Sequence, residues 1–292
     1  MANILIAWGN DADRATLSGG AWVSTLPRTN LQTRELARVA RSTSAATAAT
    51  KFTATFAGRP PLIDCIVLVA HNLSAAARWK VTASNAAGSK VRSTGWMDVW
   101  KRSDPAELEW EDDRWWSGLP DAETIAAFTP LLVWTGGRKL WPSADDVTNP
   151  ATWTVEIDDS TNPAGYVQFG RLFMGRAFQP KYNYEWGSGL GYETETTVDQ
   201  SLDGVEFFGR RPPVRIFNFR LGNLNDAEAY GAVLLLQRTV GIDGEVVVIP
   251  DPGSSQFSLQ RNIYGRLRRL SLIENPHYQT HGHAYEVKEI IA

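Results

Sequence analysis

The chain has 292 residues, 43% hydrophobic and 21% charged, with a formal net charge of −3. That length is long for one domain and comfortable for two, and the apolar share excludes wholesale disorder. The charge balance gives no general pull toward nucleic acid or an anionic membrane surface.

Arginine outnumbers lysine 22 to 7, a bias that fits a GC-rich genome or interfaces built on guanidinium pairing. The single cysteine, Cys65, lies in an apolar run and reads as a small buried hydrophobe; no intrachain disulfide is possible. The first twenty residues lack a basic start followed by an apolar stretch, so no signal peptide is expected. No run of 18 apolar residues occurs, so no membrane span is expected either. Synthesis in a cytoplasm is expected.

In chain order, residues 2–8 predict a first strand, and "NDADRATLSGGAW" a turn-rich connection. Residues 30–50 are small and polar and read as an extended loop or edge. Phe52, Ala54 and Phe56 alternate with Thr53 and Thr55, the period of a half-buried strand. Residues 62–70 are apolar throughout, as in a strand covered on both faces, and run into His71-Asn72. A half-buried strand follows at 78–84. The pair His71-Asn72 fits a ligand contact or a corner whose polar side chains bond nearby backbone.

Residues 96–146 are rich in tryptophan and acids, including "WEDDRWW". They predict long ordered loops with a short helix at "DAETIAAF". Trp153, Val155 and Ile157 alternate with polar neighbours across 152–158, "DDSTNPAG" is a turn, and 166–178 reads as a closing strand broken at Gly170. Eleven of the twelve tryptophans fall between Trp8 and Trp153. The next stretch, "QPKYNYEWGSGLGYE", has the character of a linker.

Beyond it, strands are predicted at 204–208, 213–221, 244–250, 262–273 and 284–291. One helix stands among them, 226–240. Asn225 and Glu228 have capping-box spacing, Gly241 ends the helix, and Ala229, Val233, Leu236 and Val240 share one face, widened by Leu235. The fold class is mainly β: a sandwich at 1–178, then a β-rich α+β domain at 179–292.

No catalytic constellation emerges. "WGSGLG" has neither the spacing of a nucleophile elbow nor that of a dinucleotide loop, and no P-loop is present. His277, His281 and His283 lie close enough in sequence for zinc, but Pro276 and Gly282 favour a solvated hairpin loop. Glu107, Glu109, Glu111, Asp112, Asp113 and Asp121 include enough carboxylates for a glycosidase pair, and a charged loop explains them equally. No cofactor, metal or catalytic residue is assigned.

The segments "IDCIVLVAHNLSAAARWKVTAS" and "ATWTVEIDDSTNPAGYVQFGRLFMG" resemble strands of galactose-binding-like jelly rolls. Followed by "VRIFNFRLGNLNDAEAYGAVLLLQRTVGIDGEVVVIPDPGSS", "NIYGRLRRLSLI" and "YEVKEI", the order is similar to minor tail or distal-tail (baseplate) proteins of long-tailed bacteriophages. The resemblance implies a non-enzymatic virion component at the tail tip. It implies a ring, six copies favoured over three, that joins the tail tube to hub and fibres next to the tape-measure protein. A host surface glycan is a further partner it suggests. The alternative is a carbohydrate-binding module of a surface or secreted protein. Trp110, Trp115 and Trp116 are the candidate contact residues, for a neighbouring subunit or for a glycan.

Overall fold

The computed structural model describes residues 2–100, 119, 125, 128–136, 150–254 and 257–291. Among them the chain is mainly β, with curled antiparallel sheets and one long amphipathic helix, the fold class the sequence predicts.

The first half contributes β1 (Leu5–Trp8), β2 (Thr16–Ser18), β3 (Ala40–Arg41), β4 (Phe52–Thr55), β5 (Cys65–Val69) and β6 (Arg78–Ser84). It continues with β7 (Lys90–Ser93), β8 (Met97–Asp98), β9 (Leu131–Thr135), β10 (Thr152–Asp158), β11 (Gln168–Phe169) and β12 (Arg171–Phe178). A six-stranded sheet runs β2-β4-β10-β6-β7, with β8 paired to β6. Its strands alternate as predicted. Trp79, Val81 and Ala83 of β6 and Trp153, Val155 and Ile157 of β10 point inward. They pack on Ile66 and Leu68 of β5 and on Leu172 and Met174 of β12. The Trp134 and Trp153 rings sit 5.5 Å apart and tilted at 57°, so Trp134 belongs to the core on β9 rather than to the loop that its surroundings predict.

β5 is buried on both faces because two cores use it. Cys65, Val67 and Val69, on its other face, meet Leu5, Ala7, Val247, Ile249 and Tyr264. At its end the chain turns sharply, with Ala70 at φ +56°, and His71-Asn72 forms a corner. The Asn72 amide donates to the Tyr166 carbonyl at 3.1 Å, and its Oδ1 accepts from the Gln168 N–H at 2.8 Å. The His71 Nδ1 accepts from the Leu73 N–H at 3.3 Å, and its ring stands 5.4 Å from Trp100. Asp159 closes the corner by accepting from the Ser74 N–H and the Asn162 amide, at 3.0 and 2.7 Å. Gly170 is required here, since a Cβ would lie 2.9 Å from the Leu36 carbonyl oxygen.

The second half adds β13 (Gly189–Glu193), β14 (Thr197–Gln200), β15 (Glu206–Gly209), β16 (Val214–Leu224), β17 (Val246–Ile249), β18 (Ile263–Leu267), β19 (Glu274–His277) and β20 (Thr280–Glu289). The larger sheet runs β13-β16-β20-β18-β17-β1-β12-β5-β9, with β19 on β20. β1 lies between β12 and β17, so the first strand of the chain serves both halves: Ile6 stands opposite Phe178 and Val248. Gly189–Glu193 lies inside the linker-like stretch. It becomes an edge strand because β16 offers it a free edge, against the low strand propensity of glycine.

The helix covers one face of this sheet. Its first turns, Ala227–Val233, are π-wound, and Leu234–Val240 is α-helical. The capping box is present: the Asn225 N–H donates to Glu228 Oε2 at 3.1 Å, and the Glu228 N–H donates to Asn225 Oδ1 at 2.9 Å. Gly241, at φ +58°, ends it, its N–H donating to the Gln237 carbonyl at 2.9 Å. Ala229, Ala232, Val233, Leu236 and Val240 meet Phe217, Phe219, Tyr285 and Ile6. Leu235 does not widen this face; the π-wound start places Ala232 there and leaves Leu235 exposed.

A buried ion network joins the halves. Arg171, fully buried on β12, holds Asp13 at 2.7 Å and Glu245, just before β17, at 2.8 Å. Burial opposes the guanidinium charge, and hydrogen bonding to Asp13 and the pull of Glu245 more than offset it, so the Arg171 pKa is pushed up.

Candidate functional site

The residues singled out in the sequence scatter. Trp110, Trp115 and Trp116 lie outside the described residues, as do the carboxylates from Glu107 to Asp121 and most of the predicted helix at "DAETIAAF". Cys65 is wholly buried, and burial pushes its thiol pKa up, which leaves it inert.

The histidine group divides. The chain turns at 277–280, where Gln279 takes φ +55°, and β20 begins at Thr280. His281 and His283 therefore sit buried in a strand rather than in a solvated loop; only His277 is exposed. His281 Nε2 faces Asp226 Oδ1 at 2.6 Å, and its Nδ1 meets Asn275 Oδ1. His283 Nε2 lies 2.7 Å from the Gln237 amide. Burial holds the His283 pKa down at about 4. His281 and His283 face different partners, and among the described residues no three His, Cys, Asp or Glu side chains form a metal-sized group. No helix among those residues is long and apolar enough to cross a membrane.

The most unusual surface is one the sequence did not mark as a unit. Strands β14 and β15 pair only with each other, Val198 opposite Phe208 and Asp199 opposite Phe207, and every residue of both is exposed. Their turn is well formed. The Ser201 N–H donates to the Val205 carbonyl at 2.9 Å, and Gly204 takes φ +79°. Leu202 stands at its tip, fully exposed. Phe207 is 60% and Phe208 53% exposed, on opposite faces of the ribbon, with Val198 and Val205 also in water.

A lone two-stranded hairpin is marginal in water. Each large apolar side chain left exposed forgoes about 1.5–3 kcal/mol of burial. Among the described residues this hairpin is an arm whose apolar side chains stay exposed.

Its base is anchored by charge. Lys288 Nζ on β20 holds Glu195 at 2.6 Å and Glu193 at 3.4 Å, Arg268 holds Glu193 at 2.9 Å, and Arg211 reaches Glu195 at 3.5 Å. The hydrogen bond to Glu195 raises the Lys288 pKa, and the same contact lowers that of Glu195. Farther out lie the exposed Asp199, Asp203 and Glu206, which have no cationic partner among the described residues. The arm is thus apolar and acidic, and held at its root.

No family model matches this sequence, and comparison with curated proteins gives no match. Among solved structures, the lectin domain of lectinolysin complexed with Lewis B antigen is similar at a TM-score of 0.35 and 10% identity. That likeness covers 57% of this chain and 96% of the lectin domain. A mutant of the same domain complexed with Lewis b gives a TM-score of 0.35 and 9% identity, over 58% of this chain and 98% of that one.

Proposed function

We propose that this chain is a non-enzymatic structural protein that assembles with copies of itself through the β14–β15 arm. The observation that carries this reading is the arm: a hairpin with exposed apolar residues on both faces and an exposed apolar tip, pairing among the described residues with no other strand. Such a surface is stable in water when a partner buries it. The finer reading is a ring at the tip of a bacteriophage tail, six copies favoured, beside tube, hub and tape-measure proteins. It draws on the order of segments described above and on the arm. The place of work is then the virion.

Electron microscopy of the purified chain tests the assembly, with closed rings expected and single particles of 32.3 kDa contradicting it. Mass spectrometry of washed virions tests the location; absence of the chain from tails overturns that part.

One observation favours a second reading, carbohydrate binding by the sandwich. Trp96 is 42% exposed beside the polar outer face of β6, with Lys80 Nζ 4.9 Å and the Arg78 guanidinium 5.9 Å from its ring. An exposed indole flanked by charged donors is the kind of surface on which sugar rings stack. A glycan array decides, and the reading requires binding that Trp96→Ala abolishes.

A further inference from the structure

We propose that the arm of one copy seats on the outer face of the helix of the next, over an apolar strip formed by Tyr230, Leu234, Leu235, Leu270 and Leu272. This rests on the self-assembly reading above and names the surface that receives the arm.

The strip is a further exposed apolar surface, with the Tyr230 ring resting edge-on against His281 at 5.0 Å and its outer side in water. Tyr230 and Leu234 stand one helical turn apart and face water, with Leu235 beside them. The segment after β18 lies against the same helix, because the Gln237 amide donates to the Ser271 carbonyl at 2.6 Å. That contact brings the exposed Leu270 and Leu272 alongside. Leu234, Leu235 and Leu270 keep about two-fifths to half of their surface in water, and Leu272 most of it.

Charge selects the occupant. The outer arm carries Asp199, Asp203 and Glu206, without cationic partners among the described residues. The strip carries Arg238, without a carboxylate partner among the described residues, and Arg269, which pairs with Glu286 at 3.1 Å. An acidic apolar ribbon and a basic apolar strip on the same chain complement each other across two copies. The arm meets a different element of its neighbour, so the contact is heterologous. Repeated, it closes into a ring or runs on as a filament.

Trans cross-linking tests this, because Cys65, the chain's one cysteine, is buried and inert. Phe208→Cys and Leu234→Cys are prepared separately, mixed, and oxidised with diamide. The expected result is a disulfide dimer on a non-reducing gel in the mixture and none with either variant alone. Glu206→Cys with Arg238→Cys serves as a second pair if the first disturbs assembly. Charge reversal gives an independent readout: Asp203→Lys or Arg238→Glu alone weakens assembly about tenfold, and the two together restore it. Assembly at full mass with no mixed cross-link in either pair, or with Phe208→Cys linking only to itself, overturns this docking while leaving self-assembly standing. A chain that stays single at every concentration overturns both.

Discussion

The β6–β10 pair and the β14–β15 hairpin are both antiparallel ribbons with large apolar side chains, at alternate positions in the first and at the neighbouring positions Phe207 and Phe208 in the second, and their fates differ. In the first, Trp79, Val81, Trp153 and Val155 meet a second sheet, and the polar residues face out. In the second, Val198, Phe207 and Phe208 meet water on both faces of the ribbon. Backbone pairing is equally regular in each. Regular pairing therefore makes a ribbon of either kind; whether anything covers its apolar side chains is decided elsewhere in the fold, or in another copy.

Replacing Phe207 and Phe208 by serine is the sharpest way to break this comparison. Loss of two buried rings weakens assembly about 100-fold or more, at about 1.5–3 kcal/mol per ring. The thermal unfolding midpoint of the isolated chain stays put. If the midpoint falls instead, the rings belong to the chain's own fold and the contrast disappears.

The ion pairs give the next largest effect. Removing Glu245, which holds the buried Arg171, costs about 3–5 kcal/mol of stability in denaturant titration, because an uncompensated buried charge remains. Neutralising the exposed Glu195 at the root of the arm costs almost nothing for folding. Equal losses from Glu245→Gln and Glu195→Gln contradict the division between a buried joint and a solvated root.

Two buried histidines sharpen it by pH. Burial holds His71 at about 3, in the sandwich corner, and His283 at about 4, under the helix. Both lie below the ordinary value, so the unfolded chain takes up these protons first as pH falls. Stability is full above about pH 6.5 and declines below it by about 1.4 kcal/mol per pH unit for each histidine, until the depressed values are reached. His71→Phe halves that slope, and an unchanged slope shows that the corner does not bury a neutral imidazole.

The smallest expected effect is at the helix start. Asn225→Ala removes one side of the capping box and lowers stability by about 1 kcal/mol, read as a small shift in the denaturant midpoint.

These cases also show what the sequence made legible. The strands at 52–56, 78–84 and 152–158 were readable because each has one wet face and one dry one. The run at 62–70 was readable because both of its faces are dry. Asn225, Glu228 and Gly241 mark the helix through contacts within a few residues. β13 was hidden by its glycines, and it pairs only because β16 leaves an edge open. β14, with Asp199 and Gln200 among its four residues, has weak strand propensity and no core to betray it. The bond from Arg171 to Glu245 spans 74 residues, a distance no local pattern records. His281 and His283 look like loop residues beside Gly282, yet β20 starts early enough to bury both. The candidate site was the least legible part, since Phe207 and Phe208 read as an ordinary strand and their exposure exists only in three dimensions.

Sedimentation of the purified chain, beside a form in which residues 196–210 are replaced by a short glycine-serine turn, tests the central claim most directly. The account predicts a multiple of 32.3 kDa for the intact chain, six being favoured, and a single folded copy for the shortened form. An intact chain that sediments as one copy at all concentrations, or a shortened chain that assembles as well as the intact one, contradicts it.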